Sequence, residues 1–186
     1  MKTLKRMLAV MLAVVMMMGL GVTSMARETV YDSSVPVTFE VEEYPDSDQY
    51  VEEKLPSGDD WTVNYQYNKV DNKTALDAIS YAAGKLSDAT FDTGVNKDGD
   101  TYINSIFTLP TINNYGTNSW EGYYWKIIVT GLDENGHEVT FDSPVYANKI
   151  PLGKQTTFTN EYDKKFPITC TVKSITMKYC YEKMSW

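Results

Sequence analysis

With 42% hydrophobic and 13% aromatic residues in 186, the chain is long enough to bury a sizeable core and too apolar to be a disordered segment. Its 25 acidic residues outnumber the 17 basic ones. A surface that acidic repels phosphate backbones, so neither nucleic acid nor anionic membrane is an expected partner.

Lys2, Lys5 and Arg6 precede an almost unbroken apolar run from Met7 to Val22, and Ser24-Met25-Ala26 supplies the small residues that a signal peptidase requires. The run is shorter than the roughly 20 residues of a spanning helix. Residues 1–26 are therefore expected to be a cleaved secretory signal rather than a membrane anchor, and the product to be secreted or held in the cell envelope. That segment holds three basic residues and no acidic one, so residues 27–186 carry 14 basic against 25 acidic residues, a net charge of −11.

The next elements alternate. In VPVTFEVEEY, Val35, Val37, Phe39 and Val41 fall on one side and Thr38, Glu40 and Glu42 on the other, the two-residue period of a half-buried strand. WTVNYQYNKV repeats the pattern with Trp61, Val63, Tyr65 and Tyr67. The polar stretch between them, broken by Pro45, Pro56 and Gly58, is a long hairpin connection with room for a short edge strand.

DNKTALDAISYAAGKLSD changes period. Leu76, Ile79, Ala83 and Leu86 recur at three- and four-residue steps and make one apolar stripe. Thr74 is placed to cap the first turn, with Asp77 three residues on as in a capping box, where acidic charge suits the helix dipole. One amphipathic helix is expected here, lying across one face of the sheet.

Strands then return. ATFDTGV and TYINSIFTL flank the turn NKDGD; YYWKIIVTG runs into Asp133-Glu134-Asn135-Gly136, a hairpin turn because Asn-Gly tolerates positive φ. HEVTFDSPVY goes back, and TTFTNEY follows a turn at Pro151 and Gly153. The order implies an α+β fold, a mainly antiparallel sheet with one helix packed on it.

TALDAI at the helix, then YINSI, YYWKIIVTG and IPLGKQTTFTNEY, resemble in order and spacing the domain-of-unknown-function 4430 family, related to the C-terminal domain of transcobalamin and intrinsic factor. The resemblance covers about Val35 to Tyr162 and implies a β-grasp-like fold for residues 27–163. It also implies a non-catalytic module that takes cobalamin or a related corrinoid. In the animal carriers this domain closes over bound cobalamin while a larger helical domain supplies most remaining contacts. Nothing in this chain matches that helical domain, and an acidic Asp-Gly-Asp turn of the family reads Leu152-Gly153-Lys154 here.

In a strand, Tyr123, Trp125, Ile127 and Val129 share one face, and Tyr124, Lys126 and Ile128 the other. The first set is apolar and should face the helix as core. Tyr124 then either packs as a cross-strand partner or joins Trp120 and Tyr115 in a rim that stacks on a planar ligand, with Lys126 beside it. The segment TINNYGTNSWEG, polar and rich in Asn and Gly beside aromatics, suits a recognition loop. Tyr115, Trp120, Tyr124 and Lys126 are thus the candidate ligand-binding residues.

No catalytic set is visible. The single histidine, His137, directly follows the Asn135-Gly136 turn, and no serine or cysteine has a base nearby in sequence. Asn96, Asp98 and Asp100 alternate as calcium ligands do, but Gly94 stands where a first ligand is expected and no glutamate closes the loop. An ordinary turn is expected, and neither a metal nor a required cofactor.

Residues 164–186 form the last piece. FPITCTVKSITMKYCYEKM suggests two strands of a C-terminal β-hairpin turning at Ile175, which would set Cys170 opposite Cys180. In an exported chain a disulfide is then expected, with free buried thiols as the alternative. Two functions follow: an extracellular small-ligand module, or a structural domain of the envelope that meets another protein or a glycan through sheet edges and the aromatic tail ending in Trp186.

Overall fold

The computed structural model describes residues 31–45, 61–87 and 91–186. The expected signal of residues 1–26 and nearly all of the polar connection after Pro45 lie outside the described residues.

Alternation and β-branched content make β1 (Ser33–Val41) and β2 (Thr62–Tyr67), which pair antiparallel as expected. The next element is α1 (Ala75–Leu86), which opens on a capping box: the Asp77 carboxylate accepts from the Thr74 backbone N–H at 2.8 Å and from its hydroxyl at 2.9 Å. Its buried face is rotated from the expected stripe. Ala75, Ala78, Ile79, Ala82 and Ala83 are buried, while Leu76 and Leu86 only flank the core. Alanines on the inner face let the helix sit close to β1 and β2, so the larger leucines are left at its margins.

Three short strands follow, β3 (Asp92–Val95), β4 (Thr101–Ile106) and β5 (Leu109–Pro110), and form a small antiparallel sheet of their own. The turn between β3 and β4 is closed by Asn96, whose side-chain oxygen accepts from the N–H groups of Asp98 and Asp100, both at 2.9 Å. Then come β6 (Ile112–Tyr115), β7 (Ser119–Leu132), β8 (Glu138–Asp142), β9 (Gln155–Phe158) and β10 (Ile168–Ser185). The β7–β8 hairpin turns through Gly136 at φ +79°.

The large sheet runs β2-β1-β10-β7-β6, with β8 also on β7 and β9 also on β10. All its pairings are antiparallel except β1 with β10, where Val37 lies beside Ile175 and Val41 beside Tyr179. The molecule is thus mostly β, with one α-helix among the described residues and a mainly antiparallel sheet.

Two expectations fail here. Residues 168–185 do not turn at Ile175: they form one strand, β10, in the middle of the large sheet, so 164–186 is neither a hairpin nor an appendage. Two residues before the expected turn the strand carries a β-bulge, since Val172 and Ser174 sit opposite the consecutive residues Gly131 and Thr130 and leave Lys173 as the extra residue. The bulge shifts the phase of the strand. Cys170 and Val172 face the core before it, and Ile175, Met177 and Tyr179 face the core after it. TINNYGTNSWEG is also not a loop: β6 pairs with the start of β7, Tyr115 opposite Trp120 and Ile112 opposite Tyr123.

The disulfide fails with the hairpin. Cys170 and Cys180 are both free and buried, ten positions apart on one strand. At about 3.3 Å per residue their separation is roughly 30 Å, far beyond bridging distance.

Trp125 is core, as its strand phase implies, at 6% exposure. Its ring lies 6.1 Å from Phe39, 6.2 Å from Phe107 and 5.1 Å from Tyr179 between centroids. The cover differs from expectation, however. Rather than α1, which lies over β1 and β2, the turn from Phe107 to Pro110 closes over this region: Trp125 Nε1 donates to the Leu109 carbonyl at 3.0 Å, and the Tyr179 hydroxyl donates to the Pro110 carbonyl at 2.7 Å.

Candidate functional site

Because Trp125 faces the core, the even-numbered side chains of β7 face outward: Trp120, Tyr124, Lys126 and Ile128, with Gly122 interrupting the row. The neighbouring strand β10 sets Met184 opposite Trp120, Glu182 opposite Gly122, Cys180 opposite Tyr124 and Lys178 opposite Lys126. All four expected ligand-binding residues, Tyr115 included, therefore lie on one outer face, but they divide into two places.

The first place is a cleft of about 520 Å³ where β8 leaves the sheet. Tyr124, Lys126 and Glu182 form its floor; Asp142 and the segment Ser143–Tyr146 form its wall. The wall exists because Pro144 cannot continue the ladder. Ser143 instead closes a short turn, its hydroxyl donating to the Val145 carbonyl at 2.9 Å.

Lys126 organises the floor. Its ammonium lies 2.6 Å from the Glu182 carboxylate, 3.4 Å from Asp142 and 5.9 Å from the centre of the Tyr124 ring. Burial acts to lower the Lys126 pKa, but the hydrogen bond to Glu182 and the charges of Asp142 and Glu182 outweigh it, so the net shift is upward. Burial likewise acts to raise Glu182, yet the hydrogen bonds from Lys126 and Tyr124 hold it below the usual carboxylate range. Tyr124 is pushed far above the ordinary tyrosine range, by burial first and then because its hydroxyl bonds to Glu182. The floor is thus a fixed zwitterionic pair beside a neutral phenol, with Asp142 adding a second, more exposed carboxylate.

The second place is the tip of the β6–β7 hairpin. Trp120 lies beside Gly122, where any side chain would run into the Ile112 carbonyl and crowd the indole. Its Nε1 donates to Asn113 Oδ1 at 3.0 Å, which holds the ring in place. Trp120 and Tyr124 are 5.9 Å apart between ring centres, so the two places adjoin. Tyr115, 77% exposed, belongs to the tip and not to the cleft.

Sequence reasoning missed Glu182, Asp142 and Tyr146. Lys126 at an outward strand position signalled a need for a counter-ion, but which carboxylate supplies it depends on strand register. A hairpin over 164–186 would place Glu182 away from β7, whereas β10 sets it opposite Gly122. Elsewhere, His137 is solvent-facing at the β7–β8 turn, 3.5 Å from Asp133, and no group of three or more acidic, histidine or cysteine side chains among the described residues is arranged to hold a metal ion. No family model, curated protein or solved structure matches the chain.

Proposed function

We propose that the protein is a secreted, non-catalytic binding module of β-grasp type that takes a small, largely flat ligand, of the corrinoid class by resemblance, in the cleft beside Tyr124 and Lys126. The observation that carries this reading is the cleft itself: an aromatic ring on its floor beside an ammonium and a carboxylate that are already locked together. A pre-paired donor and acceptor need little reordering when a ligand arrives, and an aromatic side chain contributes contact area at small entropic cost. Amide groups around a corrin ring both donate and accept, which suits Lys126, Glu182 and Asp142. The β-grasp reading is supported by the first and last strands lying parallel in the sheet centre, with the helix following the first hairpin.

An absorbance titration with cobalamin tests it. A saturable spectral change is expected, weakened at least tenfold by Tyr124→Ala and by Lys126→Met. No spectral change and no heat at high micromolar concentration would remove the corrinoid reading.

A further inference from the structure

The hairpin tip has a chemistry of its own. No charged residue occurs between Asp100 and Glu121, in a chain that is 23% charged. At the tip this neutral tract presents Tyr115 and Trp120 directly opposite each other, with Met184 of β10 on the far side of Trp120. Tyr115 is 77% exposed, Met184 54% and Trp186 70%. The end of β10 is tied to the tip, since the Trp186 backbone N–H donates to the Asn118 carbonyl at 3.0 Å. Asn113 shares the Tyr115 face of β6, Thr117 and Asn118 lie in the turn beside it, and all three are exposed.

We propose that this tip is a binding subsite for a neutral glycan. Charge and shape disfavour three other occupants. A polyanion is disfavoured by the acidic molecule. A cationic partner would need carboxylates that the tract does not contain. An aliphatic protein surface would match a continuous apolar patch, whereas here exposed amides border the rings. A neutral sugar presents a flat C–H face to an aromatic ring and pairs of hydroxyls to side-chain amides, which fits both halves of the tip. Trp120 is held rigid by Asn113 and by the space over Gly122, so little order is lost when a ring stacks on it. The proposal does not depend on what the cleft binds.

Native electrophoresis of the protein through gels containing hydroxyethylcellulose, neutral arabinoxylan or galactomannan tests it, alongside sedimentation of the free protein. Retarded migration in at least one gel is expected, with at least a tenfold weaker retention for Tyr115→Ala and for Trp186→Ala. Both side chains are exposed, so unchanged thermal unfolding is expected for both variants, and Tyr115→Ala should leave a cobalamin titration unaltered. Unretarded migration in all three gels overturns the proposal, as does retention that the variants share with the parent. A dimer that Tyr115→Ala converts to monomer also overturns it, because the tip would then be a surface for a second copy.

Discussion

Trp125 spends its one polar atom on a backbone acceptor: Nε1 reaches the Leu109 carbonyl in a buried setting. Trp125→Phe keeps a ring in the core but leaves that carbonyl without the indole donor. The expected cost is about 1–3 kcal/mol for the hydrogen bond alone, read as a lower urea midpoint at unchanged slope. On the other face, Glu182 makes a pH-dependent contribution. Its pKa in the folded protein is below the ordinary glutamate value, so the stability it adds is complete above that ordinary value, near pH 4.5, and is lost as pH falls through the lower folded value. Lys126 is raised, so its share is present below the ordinary lysine value and lost as strongly alkaline pH passes the folded one. Side-chain exposures of 37% for Glu182 and 25% for Lys126 leave the pair screened, at under about 1 kcal/mol. Glu182→Gln should therefore lower stability near neutrality by under about 1 kcal/mol and converge with the parent at strongly acid pH, which flattens part of the acid limb of a stability-versus-pH curve. An acid limb identical to that of the parent would contradict this account.

At the scale of elements, β10 decides the most. It lies between β1 and β7 along its middle and changes phase at a single extra residue, Lys173. Deleting Lys173 would send Cys170 and Val172, both buried, and the partly buried Ile168 to the outer face. At roughly 1.5–3 kcal/mol for each buried side chain, the loss rivals the whole stability of an ordinary domain, about 5–15 kcal/mol. Loss of near-ultraviolet circular dichroism is expected, whereas Lys173→Ala should fold. The same strand settles the cysteines: one faces the core, the other lies opposite Tyr124 on the outer face. Two titratable thiols are expected in denaturant without reductant, and dithiothreitol should leave the thermal midpoint unchanged. The phase change was visible in the sequence, as Ile168, Cys170 and Val172 alternate on even positions and Ile175, Met177 and Tyr179 on odd ones. No Gly, Pro, Asn or Asp lies between them to make a turn, which fits a bulge within one strand.

At the scale of the molecule, one face of the large sheet is closed by α1 and the turn from Phe107 to Pro110, and the other carries the cleft and the tip. That separation lets core variants and binding variants be told apart: Trp125→Phe should shift unfolding, whereas Tyr115→Ala and Lys126→Met should shift binding. Local chemistry determined a good part of this by itself. Alternation marked β1, β2 and the two faces of β7; the three- and four-residue period with Thr74 and Asp77 marked α1; Asn135-Gly136 marked the β7–β8 turn. Each is written in neighbouring residues, where side-chain period and backbone preference act directly. Only the tertiary structure decided that β10 runs through the centre of the sheet, that Glu182 and Asp142 close on Lys126, and that Tyr115 belongs with Trp120 rather than with the cleft. Those facts are registers between strands far apart in the chain, and a register is set by how all the faces bury together, which no local stretch of sequence encodes.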